Sequence, residues 1–175
     1  MAGEANVNAV VTVRLASVDD ADAIGRIQVE TWRAAYTGLM PDETIARFDV
    51  ESRQRLWREW YEQPWPGSVV FVAERDGHAV GFANSGPCRE EERAGELYAI
   101  YVLPTSWSTG AGRALIERTE ESMRSAGFGE AILWVLEGNE RAERFYRAAG
   151  WEQDGRKVDQ FQGAAVSELR YRKRL

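Results

Sequence analysis

The sequence has few of the residues that build disulfides and metal sites. Its 175 residues include a single cysteine, Cys88, and a single histidine, His78. One cysteine excludes an intramolecular disulfide and is typical of proteins from a reducing compartment, so we expect a cytoplasmic protein. With so few soft ligands there is no zinc-type cluster, and we expect no metal cofactor.

Long apolar runs and excess positive charge are also missing. No stretch is long enough to span a bilayer, and the N-terminus lacks the basic-then-apolar layout of a signal peptide. Lys and Arg total 22 against 28 Asp and Glu, a net charge of −6. This balance argues against general nucleic-acid binding and mildly favours small cationic partners. We therefore expect neither a membrane nor a nucleic acid as partner.

The residues that are present have the composition of one globular domain. A hydrophobic share of 44% with 29% charged residues argues against disorder. We expect a flexible tail at residues 1–8 and a single domain over 9–175, since no repeat or linker interrupts the chain. The order of strand and helix patterns predicts an α/β domain, with a mixed, mostly antiparallel sheet of about seven strands and about four flanking helices. Asp76-Gly77 and Gln162-Gly163 are predicted hairpin turns.

The most informative pattern is a strand, a glycine-bearing loop and a helix in direct succession. The strand begins at Glu96 and stops at Pro104, and the loop over residues 107–113 contains Gly110 and Gly112. Main-chain N–H groups at a helix N-terminus, together with the helix dipole, bind anions such as phosphate. Glycine lets a phosphate approach those N–H groups closely. The pattern predicts a phosphate site, although two spaced glycines alone are weak evidence.

A second segment downstream makes the first more specific. Residues 131–136 form a predicted buried strand, and a short helix follows that ends at Gly150. The pair resembles the GNAT acetyltransferase superfamily, whose members bind acetyl-CoA and acetylate amines. The family's loop pattern is Gln/Arg-x-x-Gly-x-Gly/Ala, and its second motif contains Asn and Phe-Tyr. The corresponding residues here are Trp107-x-x-Gly110-x-Gly112 and Asn139-x-x-Ala142-x-x-Phe145-Tyr146-x-x-x-Gly150-Trp151.

The resemblance implies where acetyl-CoA binds. It assigns the pyrophosphate to the main chain of the loop, namely Trp107, Ser108, Thr109, Gly110, Ala111, Gly112 and Arg113. It also implies that the strand before the loop splays from its neighbour, and that the main chain of Ile100, Tyr101 and Val102 binds the pantetheine arm and the oxyanion. Trp107 departs from the family's Gln or Arg, and its indole could stack on the adenine or lie on the surface.

Two residues of the second motif have both a structural and a functional interpretation. Asn139 is a good helix N-cap, and the resemblance adds a hydrogen bond to the pantetheine arm. Tyr146 could be one more packed aromatic. The resemblance makes it the acid that protonates the leaving thiolate, a task that a phenol with a pKa near 10 can perform.

The acceptor side is less specific. Glu96 is a candidate general base by resemblance, but it could equally end the solvated charge run 89–93, and Glu30 is the second candidate. Trp32 and Tyr36 form an aromatic stripe on the first helix. They could hold a cationic amine by cation–π contact or simply pack on the second helix.

These observations favour an acetyl-CoA-dependent N-acetyltransferase that acetylates the primary amine of a small molecule by direct attack in a ternary complex. Two alternatives stay open, a protein or peptide amine as acceptor, and a non-catalytic acyl-CoA sensor. A dinucleotide-binding oxidoreductase is excluded because Leu115 stands where the third glycine belongs. The resemblance also suggests a homodimer.

Overall fold

The computed structural model describes residues 10–161 and 164–175. The tail predicted at 1–8 and the turn predicted at Gln162-Gly163 lie outside the described residues. Within them the strands are β1 (Val11–Leu15), β2 (Val69–Arg75), β3 (His78–Pro87), β4 (Gly95–Val102), β5 (Glu130–Leu136), β6 (Glu152–Phe161) and β7 (Ala164–Arg174). The helices are α1 (Ala21–Tyr36), α2 (Asp42–Ala46), α3 (Val50–Glu62), α4 (Ala111–Ser125) and α5 (Glu140–Ala148).

The strands form one seven-stranded sheet in the order β1-β2-β3-β4-β5-β7-β6. All neighbours are antiparallel except β4 and β5, which run parallel. That parallel pairing is short, because only Gly95 to Leu97 pair with Ala131 to Leu133. Beyond Leu97 the two strands separate, so the middle of the sheet opens toward the C-terminal end of β4.

A β-bulge lies where β4 leaves β5. Ser85 pairs with Leu97 and Asn84 with Ala99, so Tyr98 is an extra residue on β4. A bulge shifts the alternation of side chains by one position. As a result Leu97 and Ile100 both pack on the α4 side of the sheet, although three positions separate them.

The helices cover both faces and bury a core on each. On one face, Leu115 and Ile116 of α4 pack against Leu133 of β5. On the other, Ile24 and Ile27 of α1 are fully buried near the sheet. Their spacing of three is the core stripe expected of an amphipathic helix.

The structure confirms the predicted fold class, a mixed α/β domain with a mostly antiparallel sheet. The Asp76-Gly77 hairpin is also confirmed, because both residues have positive φ angles, 52° and 76°. Two positive φ values are what the two-residue turn needs to match the twist of its strands. None of the described helices is long and apolar enough to cross a membrane.

Candidate active site

A cavity of about 550 Å³ fills the gap between the separating strands. β4 lines it from Leu97 to Val102, and β5 contributes Trp134 and Val135. Helix α1, the loop before α4 and helix α5 close the remaining sides. The cavity exists because β4 has no sheet partner on this side once it leaves β5.

Most of the predicted site residues meet in this cavity. Those that line it are Tyr36, Ile100, Tyr101, Val102, Trp107, Ser108, Gly110, Gly112, Arg113, Asn139 and Tyr146. Thr109, Ala111, Glu96, Trp32 and Glu30 are not among its lining residues. Ala111 is fully buried, and the Thr109 hydroxyl donates to the Ser106 carbonyl at 2.7 Å, so both support the loop from behind.

The main chain of β4 faces the cavity at alternate residues only. The Leu103 N–H donates to the Val80 carbonyl at 2.8 Å, which fixes the register with β3. Since alternate residues of a strand present their main-chain groups to opposite sides, Tyr101 turns its N–H and C=O to β3, and Ile100 and Val102 turn theirs to the cavity. This corrects the expected main-chain role of Tyr101, which enters the site by its side chain instead.

The Val102 carbonyl is already occupied. It accepts hydrogen bonds from the Trp107 indole Nε1–H at 2.8 Å and from the Thr31 hydroxyl at 3.1 Å. The Arg141 guanidinium lies 3.9 Å from the centroid of the Trp107 ring. The half-buried indole therefore holds the end of β4 by a hydrogen bond. Neither of the two interpretations of Trp107 from the sequence included this role.

The loop before α4 has the geometry of an anion site. Ser108 and Gly110 have φ angles of 61° and 92°, in the left-handed region, and Gly110 is the N-cap of α4. The first turn of α4 contains no acidic side chain. Arg113, Arg141 and Arg144 all line the cavity near this helix end. Arg113 also pairs with Glu117 at 2.8 Å, and Arg144 pairs with Glu140 at 3.1 Å.

Gly112 matters for packing in addition to ligand access. A Cβ at this position would lie 3.3 Å from the Phe145 ring of α5. The glycine therefore lets α4 and α5 approach each other at the mouth of the cavity.

The second motif places one polar cap and one buried phenol at the cavity. The Asn139 side chain accepts a hydrogen bond from the Ala142 N–H at 3.2 Å, which confirms the predicted N-cap. Tyr146 is 7% exposed and packs against Trp151 and Tyr171, yet it also lines the cavity. It is thus both a packed aromatic and a residue in reach of a ligand.

Three tyrosines, Tyr36, Tyr101 and Tyr146, converge on the cavity from α1, β4 and α5. Burial raises the pKa of each of them above its ordinary value. A hydrogen bond to Tyr101 raises the pKa of Tyr36 further. The phenols therefore stay protonated at neutral pH and can act as proton donors.

The structure gives Glu96 a different role from the one predicted. Its side chain is 2% exposed and forms an ion pair with the Arg89 guanidinium. The main-chain N–H of Arg89 also donates to Glu96 Oε2 at 3.1 Å. Both oxygens of the carboxylate are therefore engaged by Arg89. Glu96 thus ties down the loop that precedes β4, and it does not reach the cavity.

The two other residues outside the lining are accounted for by their contacts. Glu30 is exposed and pairs with Arg26 at 3.3 Å. Trp32 is 4% exposed and stacks on Phe48 with ring centroids 4.3 Å apart. It contacts Tyr36 edge-on at 4.7 Å, so it positions a cavity residue without lining the cavity itself.

Sequence reasoning missed Glu168 and Arg53. Glu168 lies on β7, burial raises its pKa, and its charge acts on Tyr36 and Tyr101. Arg53 lies on α3 with its guanidinium 3.9 Å from the centroid of the Phe48 ring, and its charge also acts on Tyr101. Neither residue is among those that line the cavity, and no local pattern marks either one.

Comparison with known proteins identifies the architecture. The model of the acetyltransferase (GNAT) family matches residues 29–151, which include both motifs. The N-acetyltransferase YuaI of Bacillus subtilis is 36% identical over 132 residues, 74% of this chain and 73% of that protein.

Solved structures match nearly the whole chain. The PaiA N-acetyltransferase of Thermoplasma acidophilum, in complex with coenzyme A, matches 95% of this chain and 99% of its own at 20% identity, with a TM-score of 0.70. YncA of Salmonella typhimurium, with its cofactor acetyl-CoA, matches 94% of this chain and 93% of its own at 19% identity and a TM-score of 0.69. These two show the fold, while the family match extends over more than half of the chain. The chain is an N-acetyltransferase of the GNAT family.

Proposed function

We propose that this enzyme transfers the acetyl group of acetyl-CoA to the primary amine of a small molecule by direct attack in a ternary complex. The observation that carries the proposal is a single cavity with an anion-binding helix end at one side and the buried Tyr146 phenol at another. The helix end suits the phosphates of a CoA thioester, and the Tyr146 phenol suits the thioester group at its other end.

The residues of the cavity fit acetyl-CoA along its length. The N–H groups of the loop over 108–113 would hold the pyrophosphate, with Arg113, Arg141 and Arg144 as the surrounding cations. Ile100 turns both main-chain groups to the cavity, where the amides of a pantetheine arm would pair with them as a neighbouring strand does. The Val102 carbonyl oxygen and the Asn139 side-chain oxygen already accept hydrogen bonds within the protein. The Val102 main-chain N–H and the Asn139 side-chain NH2 group are therefore the donors that remain for the pantetheine arm.

Tyr146 is the proposed acid. In the transfer, the amine nitrogen bonds to the acetyl carbon, the carbon–sulfur bond breaks, and the phenol gives its proton to the departing sulfur. The proton that the amine loses restores the phenol through solvent. Burial raises the pKa of Tyr146, so the phenol holds its proton at neutral pH and is a weaker acid than a free phenol.

The walls on the α1 side support a small acceptor. Tyr36 closes the cavity there, and Trp32, Phe48 and Phe161 pack behind it as one aromatic cluster. An aromatic wall on this side suits a compact molecule better than an extended peptide. The extent of the domain over 9–175, the cytoplasmic location and the homodimer stay predictions.

The test is CoA-thiol release from acetyl-CoA with a panel of polyamines, amino acids, aminoglycosides and short peptides. Turnover with a small amine, and none with the peptides, is the expected result. Turnover with peptides alone would favour the protein-amine alternative. Binding of acetyl-CoA by calorimetry without any turnover would favour the sensor.

A further inference from the structure

The Arg141 guanidinium is stacked on the indole ring of Trp107. The guanidinium carbon lies 3.9 Å from the centroid of that ring, and both residues line the cavity. Arg141 is in the first turn of α5, where both acidic side chains pair with other arginines of the same helix. Among the described residues, the contact of this guanidinium is thus with an aromatic face, and its charge is left for a ligand.

The indole is itself fixed in place. Its Nε1–H donates to the Val102 carbonyl at 2.8 Å, and the half-buried ring packs against the core on the α4 side of the sheet. The main-chain groups of Val102 face the cavity, so the ring that reaches them stands at the cavity wall. An exposed arginine side chain has many rotamers, and a fixed ring beneath it restricts that freedom. Trp107 is therefore a rigid support for Arg141.

Helix α5 brings Arg141 to the start of α4. Phe145 lies on the same face of α5 as Arg141, because residues four apart are neighbours on a helix surface. The Phe145 ring would be 3.3 Å from a Cβ at Gly112, in the first turn of α4. Trp107 belongs to the loop that leads into that same helix. The face of α5 that contains Arg141 therefore meets both the loop and the N-terminus of α4.

Stacking leaves the hydrogen-bonding edge of the Arg141 guanidinium free. A guanidinium donates its hydrogen bonds in its own plane, so a ring against its face takes none of them. Two N–H groups in that plane match two oxygens of a phosphate and bind them together. The positive end of α4 beside this edge adds to the attraction for an anion.

From this placement, and resting on the proposed function, we infer that Arg141 binds a phosphate of CoA and that Trp107 is the positioning residue that holds it there. Arg113 and Arg144 already pair with carboxylates of their own helices, whereas Arg141 has its full charge for the ligand. The phosphates are thus contacted from two helices, by the N-terminus of α4 and by a side chain of α5.

Calorimetry with CoA and 3′-dephospho-CoA tests the role of Arg141 without any acceptor. Arg141→Gln weakens CoA about tenfold or more, the loss of a charged hydrogen bond. An equal loss for 3′-dephospho-CoA assigns the contact to the pyrophosphate, and a loss confined to CoA assigns it to the 3′-phosphate. A CoA affinity of Arg141→Gln equal to that of the wild type would overturn the inference.

Two substitutions of Trp107 separate its two contacts. Trp107→Phe keeps a ring beneath the guanidinium and removes the N–H that reaches Val102, so its CoA affinity stays within about twofold of the wild type. Trp107→Leu removes both contacts and weakens CoA about threefold or more. Equal losses in the two variants would assign the effect to the Val102 hydrogen bond and contradict the positioning role.

A double variant tests whether Trp107 acts through Arg141. In the Arg141→Gln background, Trp107→Leu causes no further loss of CoA affinity, because no guanidinium is left to position. Losses that simply add in the double variant would show that the indole acts on CoA independently of Arg141.

Arg118→Gln is the control for the removal of a charge. Arg118 is an exposed arginine of α4 with its guanidinium 5.1 Å from the centroid of the Phe71 ring, and it is not among the cavity-lining residues. It keeps wild-type CoA affinity, and a loss like that of Arg141→Gln would reduce the effect to net charge and overturn the inference.

Urea unfolding of each variant identifies any that misfolds, and Arg141→Lys then replaces Arg141→Gln. Lysine keeps the charge but loses the planar group, so Arg141→Lys also binds CoA more weakly than the wild type. Absence of CoA binding by the wild type contradicts the proposed function, whereas wild-type binding that the Arg141 variant retains contradicts this inference alone.

Discussion

At the scale of single residues, Tyr146 and Tyr171 offer a matched pair of buried phenols. Both belong to the same cluster, with ring centroids 6.0 Å apart, but only Tyr146 lines the cavity. Tyr146→Phe is expected to lower kcat about 100-fold or more, because it removes the proton donor, and to leave acetyl-CoA affinity intact. Tyr171→Phe leaves kcat unchanged. Steady-state rates and calorimetry measure both, and an undiminished kcat in Tyr146→Phe would remove that residue from the mechanism.

Glu96 and Arg89 form an ion pair between β4 and the loop over 88–94. Arg89→Met leaves the Glu96 carboxylate buried at 2% exposure without its cation. Because Arg89 itself is 55% exposed, we expect a moderate loss of about 2 kcal/mol in the free energy of unfolding. Adding Glu96→Gln should recover much of that loss.

Urea unfolding of the two variants measures this effect. Arg93→Met, which removes an exposed arginine of the same loop, is the control and should match the wild type. If Arg89→Met were as stable as the control, the pair would be no more than a surface contact.

The residues that sequence analysis could identify are those whose partners are close in the chain. Asn139 and Tyr146 belong to one local motif, and Asn139 caps the helix that carries Tyr146. The role of Glu96 could not be inferred, because it depends on how the loop returns Arg89 to it. Glu168 and Arg53 lie more than one hundred residues apart, and no local pattern links either one to Tyr101, on whose pKa their charges act.

At the scale of secondary structure elements, the α4 N-terminus depends on a position without a side chain. Gly112→Glu would place a carboxylate at the positive helix end and push against the Phe145 ring. Both effects oppose a bound phosphate, so we expect loss of CoA binding in calorimetry. Gly129→Glu, where a Cβ meets nothing within 4 Å, is the control and keeps its affinity. Retained affinity in Gly112→Glu would mean that the phosphates bind elsewhere.

The end of β4 depends on two side chains that donate to one carbonyl. Trp107→Phe or Thr31→Val alone should cost about 1 kcal/mol of unfolding free energy, since the Val102 oxygen keeps one donor. The double variant should cost more than the sum, because the oxygen then has neither donor. Urea unfolding of the three variants measures the coupling, and simple additivity would argue against a shared role.

The helices and strands were easier to predict than the separation of β4 from β5. The periodicities of α1, α4 and the strands are local, and the structure has these elements close to the expected residues. The bulge at Tyr98 and the separation of β4 from β5 leave no periodic trace in the sequence. The cavity between the strands could be expected only by resemblance, never from the pattern of β4 itself.

At the scale of the whole molecule, stability should depend on pH with two opposite contributions. The Arg14 guanidinium lowers the pKa of Asp20, and the Arg172 guanidinium lowers that of Glu91. Asp20 and Glu91 therefore contribute to the free energy of unfolding above the pKa values that they have in the unfolded chain. These contributions are lost as the pH falls through their lower pKa values in the folded protein. Glu168 has a raised pKa, so its contribution is present below its unfolded value of 4.5 and is lost as the pH rises through the folded one.

Glu168→Gln should therefore be more stable than the wild type at pH 7, with a difference that shrinks toward pH 4. Lys157 on β6 is the cation that approaches Glu168, and in the variant it keeps Glu90 and Asp159 as partners. Urea unfolding at both pH values measures the difference. A variant less stable than the wild type at pH 7 would show that Glu168 stabilises the fold, instead of being retained at the expense of stability.

Because β4 pairs with β5 over a short stretch only, the sheet consists of two halves that are joined at three paired positions. Strands β1 to β4 and strands β5 to β7 share main-chain hydrogen bonds only over Gly95 to Leu97 and Ala131 to Leu133. A ligand in the gap would supply the missing edge contacts, and the amide protons of Ile100 and Val102 would then exchange with solvent more slowly. Deuterium uptake at these two positions would thus report occupancy without any catalytic turnover.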